Sequence, residues 1–431
     1  MKRGFYTIMA AQFFSSLADN ALLIAAIALL LELQGPAWLT PLLQYFFTVS
    51  YVVLAAFVGA FSDAVPKGHV MFITNTVKIV GCTLMFLVGR TQEYGIPDYL
   101  MVLLAYSVVG LGAAAYSPAK YGILTELLPP EQLVAANGWI EGLTVASIII
   151  GTVLGGALIS PKVSTALLSL DVPNIDTGIN TPAEAAIVVI AFIYVLAAIF
   201  NLFIPDTGVR YEKQQTNPAL LIRDFWICFG TLWRDKLGQI TLGVTTLFWG
   251  VGATLQFIVL KWAEVHLGLP LDQGAILQGV TAIGIALGAI VASRTVPLRK
   301  SLSVLPAGIV MGVIMLTMIF VQQIYLVYAL LILIGAMAGF FVVPMNALLQ
   351  HRGYVLLSAG HSIAVQNFNE NISILLMLAA YATMIKSDVD INTIIIIFGM
   401  FISLSMLLVI LRHRYNQRQG DSLHLIGMRK R

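Results

Sequence analysis

Twelve apolar runs recur along the chain, near residues 6–32, 38–61, 70–90, 99–117, 136–159, 184–204, 239–263, 275–294, 302–321, 325–349, 358–384 and 391–411. About 20 apolar residues, rising about 1.5 Å each, cross the hydrocarbon core of a bilayer as a helix. In that solvent every backbone N–H and C=O has to bond within its own segment, so a chain with runs of this length is confined to a bundle of helices. The residues are 59% hydrophobic and only 10% charged, against about 25% charged in soluble domains. The expected fold class is an all-α membrane protein with 12 transmembrane helices. The opening MKRGFYTIMAAQFF has the look of a signal peptide. Its apolar run continues past Asp19 and Asn20 without a small-residue cleavage site, so it reads as the first span. Two cysteines, Cys82 and Cys228, cannot frame a disulfide scaffold.

The longest polar connection, 205–238, parts six runs from six. The expected organisation is a six-helix bundle over 1–204, a cytoplasmic connector over 205–238, a second six-helix bundle over 239–412 and a cytoplasmic tail over 413–431. Inside the connector, Asn217 and Pro218 read as a helix N-cap and a first helical position. Leu221, Phe225, Phe229 and Trp233 then recur at helical spacing. That pattern fits either a helix lying along the membrane surface or a plain linker. With the N-terminus inside, 19 lysines and arginines fall on cytoplasmic segments and three, Arg90, Lys162 and Lys386, on the opposite side. Lys78 and Lys261 lie inside spans. Acids occupy the opposite side instead, at Glu93, Asp98, Asp171, Asp176, Asp272, Asp388 and Asp390. The asymmetry puts both termini in the cytoplasm.

Six spans, a cytoplasmic connector and six more resemble the layout of the major facilitator superfamily. The loop after the second span, Gly59-Ala-Phe-Ser-Asp63-Ala-Val-Pro-Lys67-Gly68, resembles that superfamily's G-x-x-x-D-x-x-x-[RK]-[GR] signature. Gly59 permits close helix approach, and Asp63 can face a helix N-terminus while pairing with a base such as Lys67. Glycines four apart, Gly151 and Gly155, Gly284 and Gly288, and Gly335 and Gly339, suit close packing of helices.

Polar side chains within the spans narrow the function. The eleventh span holds Gln366, Asn367, Asn369, Glu370 and Asn371. Gln366 and Glu370 are four apart, as are Asn367 and Asn371, so these four share an arc of roughly 140°. A carboxylate at mid-bilayer costs about 2.5–3.5 kcal/mol, so this face turns to other helices or to a wet cavity. The choice is between a hydrogen-bonded knot and a substrate site, and four amides with an acid favour the site. Asp19, about thirteen residues into the first span, is either a ligand contact or half of an ion pair with Lys78 or Lys261. Lys120, after Pro118, is a phosphate contact or an ordinary cytoplasmic charge. Asn137 and Glu141, four apart, line a cavity or close an inner gate, and Asn346 and Gln350 share a face by the same spacing. Gln256 lies beside Phe248, Trp249 and Phe257, which form either a packing stripe or an apolar wall. Polar layers between walls of Leu, Ile, Phe and Met suit an amphipathic substrate better than a sugar.

Stretches across nearly the whole chain carry a closer likeness: AQFFSSLADNALL (11–23), GLGAAAYSPAKYGIL (110–124), ANGWIE (136–141), TLFWGVGATLQF (246–257), GFFVVPMNALLQHRG (339–353) and AVQNFNEN (364–371). They resemble the bacterial lysophospholipid transporter family within the major facilitator superfamily. The resemblance implies a flippase that carries lysophosphatidylethanolamine and related lysolipids from the outer to the inner leaflet of the bacterial inner membrane. A partner, an acyl-carrier-protein synthetase/lysophospholipid acyltransferase, then re-acylates them. The chain ends about twenty residues after the last span, so that partner is expected as a separate protein. By the same resemblance, Asp19 and Asn20 match the first-span acid and amide, Lys120 the base after S-P-A, Glu141 the acid after A-N-G, and Gln366, Asn367, Glu370 and Asn371 the eleventh-span cluster. The family's arginine in span seven is replaced here by Gln256, so the head-group charge has to be balanced elsewhere.

An alternative is a proton-coupled exporter of amphipathic drugs on the same fold. An acyltransferase is disfavoured. His266 precedes Asp272 by one residue too many for a His-x4-Asp dyad, His361 is followed by Gln366, and neither a Gly-x-Ser-x-Gly elbow nor a metal cluster occurs. No cofactor, metal or nucleic-acid partner is expected; besides the lysolipid and the separate acyltransferase, the only partners expected are membrane lipids.

Overall fold

The computed structural model describes residues 3–34, 39–88, 97–169, 179–212, 214, 216–269, 271–420 and 422–426. Among them the regular structure is helical throughout: α1 (Arg3–Glu32), α2 (Leu39–Val53), α3 (Ala55–Ala64), α4 (Lys67–Leu84), α5 (Asp98–Leu127), α6 (Leu133–Ile159), α7 (Pro161–Leu168), α8 (Pro182–Leu202), α9 (Pro218–Arg234), α10 (Gly238–Leu267), α11 (Leu271–Thr295), α12 (Leu305–Leu316), α13 (Ile324–Leu356), α14 (Ala359–Lys386) and α15 (Ile391–Arg418). Of the charges weighed for orientation, Lys2, Arg90, Glu93, Asp171, Asp176, Lys213, Arg429, Lys430 and Arg431 lie outside the described residues.

Ten of these helices are long and apolar enough to cross a membrane, with α12 counted together with its flanking 3-10 turns. The second expected span is α2 and α3, bent by 65° at Leu54. Just before the bend, Thr48 and Ser50 turn their hydroxyls onto the carbonyls four residues back, a contact that bends helices. The third expected span is α4, whose 18 residues include Lys67, His69 and Lys78. Several helices outrun the expected spans. α5 was expected to end at 117 and instead passes through Pro118 to Leu127; one proline removes one backbone bond, and it is the Pro129-Pro130 pair that stops the helix. α13 likewise passes through Pro344 to Leu356, with Gln350, His351 and Arg352 buried in the protein, and α15 runs on to Arg418 among mostly exposed residues.

The chain forms two compact units, Met1–Lys120 with Ala146–Gln214, and Tyr121–Val145 with Gln215–Arg431. In the first, α8 packs against α1 and α4. Ala18, Leu22, Ala25 and Leu29 of α1 bury against Tyr106, Ile187, Ile190 and Tyr194. Gly151 and Gly155 let the later part of α6 lie on the α1 backbone, where a Cβ would strike the carbonyls of Leu17 and Ala21. In the second unit α11 and α13 touch backbone to backbone. A Cβ on Gly284, Gly288, Gly335 or Gly339 would strike the carbonyl of Ile332, Ala336, Thr281 or Ile285 respectively. Such contact is how helices adhere in lipid, where the hydrophobic effect gives little drive. In the connector, Asn217 caps α9 by accepting from Ala219 N at 2.9 Å, with Pro218 at its first position. Nearby, the Arg210 guanidinium donates to Asp206 at 2.5 Å. That bond, helped by Gly208 N–H, holds the Asp206 carboxyl well below the usual carboxylate range. Cys82 is buried and Cys228 half-buried, and neither is in a disulfide.

Candidate substrate site

In the first unit a buried charge cluster joins α1, α4 and α8. Lys78 of α4 donates to both oxygens of Asp19 on α1, at 2.8 and 2.9 Å, and lies 3.1 Å from Ser15 Oγ. Ser15 donates in turn to Asn75 Oδ1 at 2.8 Å. Tyr194 of α8 donates its phenol O–H to Asp19 Oδ1 at 2.6 Å. The ammonium also stands 5.0 Å from the ring centre of Tyr116 and 5.5 Å from that of Tyr194, within cation–π range. Of the two bases considered for Asp19, the structure selects Lys78; Lys261 pairs instead with Glu264 at 3.0 Å. The pair is asymmetric. The Lys78 side chain is 1% exposed and that of Asp19 is 22% exposed. The result is a carboxylate whose charge is balanced from behind while one edge stays open to accept from an ammonium or hydroxyl. Asn20 beside it spends its amide on Ser16 O at 2.8 Å.

A second polar group lies in the other unit. Helical spacing puts Gln366 and Glu370 on one face of α14, and Gln366 Nε2 donates to Glu370 Oε1 at 2.7 Å and to Asn346 Oδ1 of α13 at 3.0 Å. Asn346 Nδ2 reaches Glu141 Oε1 of α6 at 3.4 Å. One helical turn away, Asn137 and Gln350 exchange two amide bonds, each 2.9 Å. All six side chains are buried. In this conformation they are interhelical contacts, the knot weighed from the sequence, and they tie the start of α6 to α13 and α14. Among the described residues Glu370 has no ion-pair partner, and Gln366 Oε1 is buried without a hydrogen bond. The rest of the α14 cluster turns elsewhere: Asn369 bonds Val365 O and accepts from Trp233 Nε1, Asn367 is buried, and half-buried Asn371 donates to Asn367 O.

The other expected residues stand apart from both groups. Gln256 is exposed and exchanges bonds with Gln278, at 3.3 Å between side chains and 3.0 Å to its own carbonyl. Phe248 packs edge-on against Phe341 at 5.7 Å. Lys120 is half-buried on α5. Gly59 is buried in α3. Asp63 accepts from Lys67 at 2.7 Å; Lys67 also donates to Ser62 O at 2.7 Å and lies 5.0 Å from the Tyr211 ring. The loop pair is thus formed and nearly dry, with side-chain exposures of 3% and 0%. Two features escaped sequence reasoning. Tyr194 is one aromatic in an apolar run, and only the hydroxyl marks it. Arg352, counted as a cytoplasmic charge, makes a buried two-pronged contact with Asp235 at 2.6 and 3.2 Å, and Asp235 also accepts from Gly238 N at the start of α10 at 2.8 Å.

Residues 8–377 match the family model of the Major Facilitator Superfamily. The chain is 39% identical over 393 residues to the lysophospholipid transporter LplT of Yersinia enterocolitica serotype O:8, covering 91% of this chain and 89% of that one. It is also 39% identical over 388 residues to that of Yersinia pestis (strain Pestoides F), with 90% and 88% covered. Among solved structures, a bacterial homologue of the iron transporter ferroportin in an outward-facing state aligns with TM-score 0.73 at 13% identity, over 97% of this chain and all of the other. The Escherichia coli fucose:proton symporter aligns with TM-score 0.72 at 13% identity, over 96% and 99%. At that identity the structural likeness speaks for the fold alone.

Proposed function

Because the chain belongs to the major facilitator superfamily, we propose that it carries lysophospholipids, lysophosphatidylethanolamine among them, from the outer to the inner leaflet of a bacterial inner membrane. The carrying observation is the half-open carboxylate of Asp19, backed by Lys78 and Tyr194, in a chain 39% identical to proteins named lysophospholipid transporters. A zwitterionic head offers an ammonium to the open edge of Asp19 and a phosphate to a base; Lys78 is buried behind that acid, which leaves Lys120, half-buried on α5, as the candidate. The single acyl chain stays against the apolar walls or in lipid, entering laterally between helices.

In this reading the halves 1–204 and 239–412 alternate access about the connector 205–238. The bonds Asn137–Gln350 and Glu141–Asn346–Gln366–Glu370 are the inner gate in its closed form, and Gly59, Asp63 and Lys67 steady the loop after the second span. Asn20, Asn367, Asn371 and Gln256 complete the polar lining when the gate opens. The 19-to-3 bias of basic residues supports cytoplasmic termini. A separate acyltransferase consumes the product. A second reading, proton-coupled export of amphipathic drugs, draws on Glu370, buried without a countercharge among the described residues.

The test is flipping of fluorescent lysophosphatidylethanolamine by purified protein in proteoliposomes, with and without a pH gradient, beside efflux of an amphipathic cation. Lysolipid inversion lost in Asp19→Asn supports the proposal. Drug efflux driven by the gradient, without lysolipid inversion, overturns it.

A further inference from the structure

Helix α9 does more than bridge two bundles. Its Phe225 is 4% exposed and its Leu232 fully buried, against α14, α10 and α13. The opposite side leaves Ile222, Trp226 and Ile227 exposed at 44, 52 and 57%, with Arg223 and Arg234 exposed in the same arc. The buried side, together with the inner edge of the Trp226 ring, is a clasp on one residue of α14. Phe368 is ringed by Phe225, Trp226 and Phe229 at centroid distances of 5.2, 5.8 and 6.2 Å. The next residue, Asn369, accepts from Trp233. Phe368 and Asn369 lie between Gln366 and Glu370, the two α14 members of the gate network.

Side-chain chemistry says what covers the outer side. Exposed Trp226, Ile222 and Ile227 flanked by exposed Arg223 and Arg234, on a helix held against a span of a membrane protein, are the pattern of amphipathic helices that lie at the headgroup and acyl boundary. We propose that α9 docks on the phospholipid surface itself: Trp226, Ile222 and Ile227 enter the acyl boundary, Arg223 and Arg234 meet lipid phosphates, and the Phe368 clasp passes that contact to Gln366 and Glu370. The occupant is bilayer phospholipid, with anionic headgroups preferred, and the docking stands whether or not the cargo is a lysolipid.

Full-length protein carrying a nitroxide at Ile227→Cys, in a Cys82→Ala/Cys228→Ala background, is reconstituted in phosphatidylethanolamine vesicles with or without phosphatidylglycerol. Greater accessibility to oxygen than to a water-soluble nickel chelate is expected. Phosphatidylglycerol should deepen the label, and Arg223→Gln/Arg234→Gln should abolish that deepening, since each arginine at an anionic surface changes the docked population about five-fold. Phe368→Ala should leave the label in lipid while removing the phosphatidylglycerol dependence of lysolipid inversion. A label reached freely by the nickel chelate overturns the proposal. A label shielded from both reagents also overturns it, in favour of a protein occupant. Inversion that responds to phosphatidylglycerol equally in wild type and Phe368→Ala overturns the coupling.

Discussion

Removing the two charges of the Asp19–Lys78 pair one at a time should have unequal costs. Asp19→Asn strands an ammonium that is 1% exposed, with Ser15 Oγ at 3.1 Å and two ring faces as its remaining company. Breaking a buried pair on the side that leaves a dry charge costs about 3–5 kcal/mol. Lys78→Met instead leaves a carboxylate that keeps the Tyr194 O–H bond and is 22% exposed. Water reaching that edge holds the cost to about 1–3 kcal/mol. Removing both charges in Asp19→Asn/Lys78→Met leaves neither stranded, and buried pairs replaced by neutral groups of similar size are often near neutral. The double-mutant cycle should therefore return a coupling of at least about 2 kcal/mol. Equilibrium unfolding in mixed micelles measures all four proteins. Single costs that simply add, or Lys78→Met costing more than Asp19→Asn, would refute the asymmetry read from the exposures. The same double variant separates stability from transport: it should fold and fail to invert lysolipid, and a folded, fully active double variant refutes a substrate role for the pair.

Three further outcomes follow from the packing and the gate. Gly335→Ala drives a methyl into the Thr281 carbonyl across the α11–α13 seam, and should cost about 1–3 kcal/mol in the same unfolding assay; Gly156→Ala, with open space at that point, should be neutral or slightly stabilising. Gln350→Ala removes both bonds of the reciprocal amide pair and strands the Asn137 carbonyl, for about 1–3 kcal/mol; a cysteine at Leu349 should then react faster with a water-soluble maleimide, and an unchanged rate would exclude Asn137–Gln350 as a closure. Asp63→Asn weakens the hold on Lys67, which keeps Ser62 O as acceptor. The ammonium left behind is nearly dry, so the unfolding assay should show a loss of about 3–5 kcal/mol; lysolipid inversion by the folded protein should slow severalfold, and an unchanged rate would confine the loop pair to structure.

Apolar run length made the helices legible, since in lipid the backbone has no alternative to bonding within its own segment. Run length does not mark helix ends, because polar residues beyond an apolar run can be buried against other parts of the protein and keep the helix going: α5 past Pro118 and α13 past residue 349, with Gln350, His351 and Arg352 buried, are the cases, while α15 runs to Arg418 among mostly exposed residues. Intramembrane polarity marked Asp19, Glu141, Asn346, Gln366 and Glu370 as the residues to examine, because charge in hydrocarbon is costly enough to need a partner. Which partner is a matter of helix rotation, to which sequence spacing is blind. Spacing on α14 alone groups Asn367 and Asn371 with Gln366 and Glu370, yet the structure divides them: α13 takes Gln366, while Asn371 turns back onto the Asn367 carbonyl of its own helix. The same blindness left Lys78 and Lys261 equal candidates for Asp19. Only the crossing of α1 with α4 and α8 makes one of them a buried counterion, and it brings in Tyr194, whose neighbours in sequence are all apolar. On the proposed function, an acid held from behind by a base and a phenol cannot swing to follow a cargo, so the head group would have to come to Asp19. On that reading the moving parts would be the helices tied by Asn137, Gln350, Asn346 and Gln366, whose amide–amide bonds cost little to exchange for water.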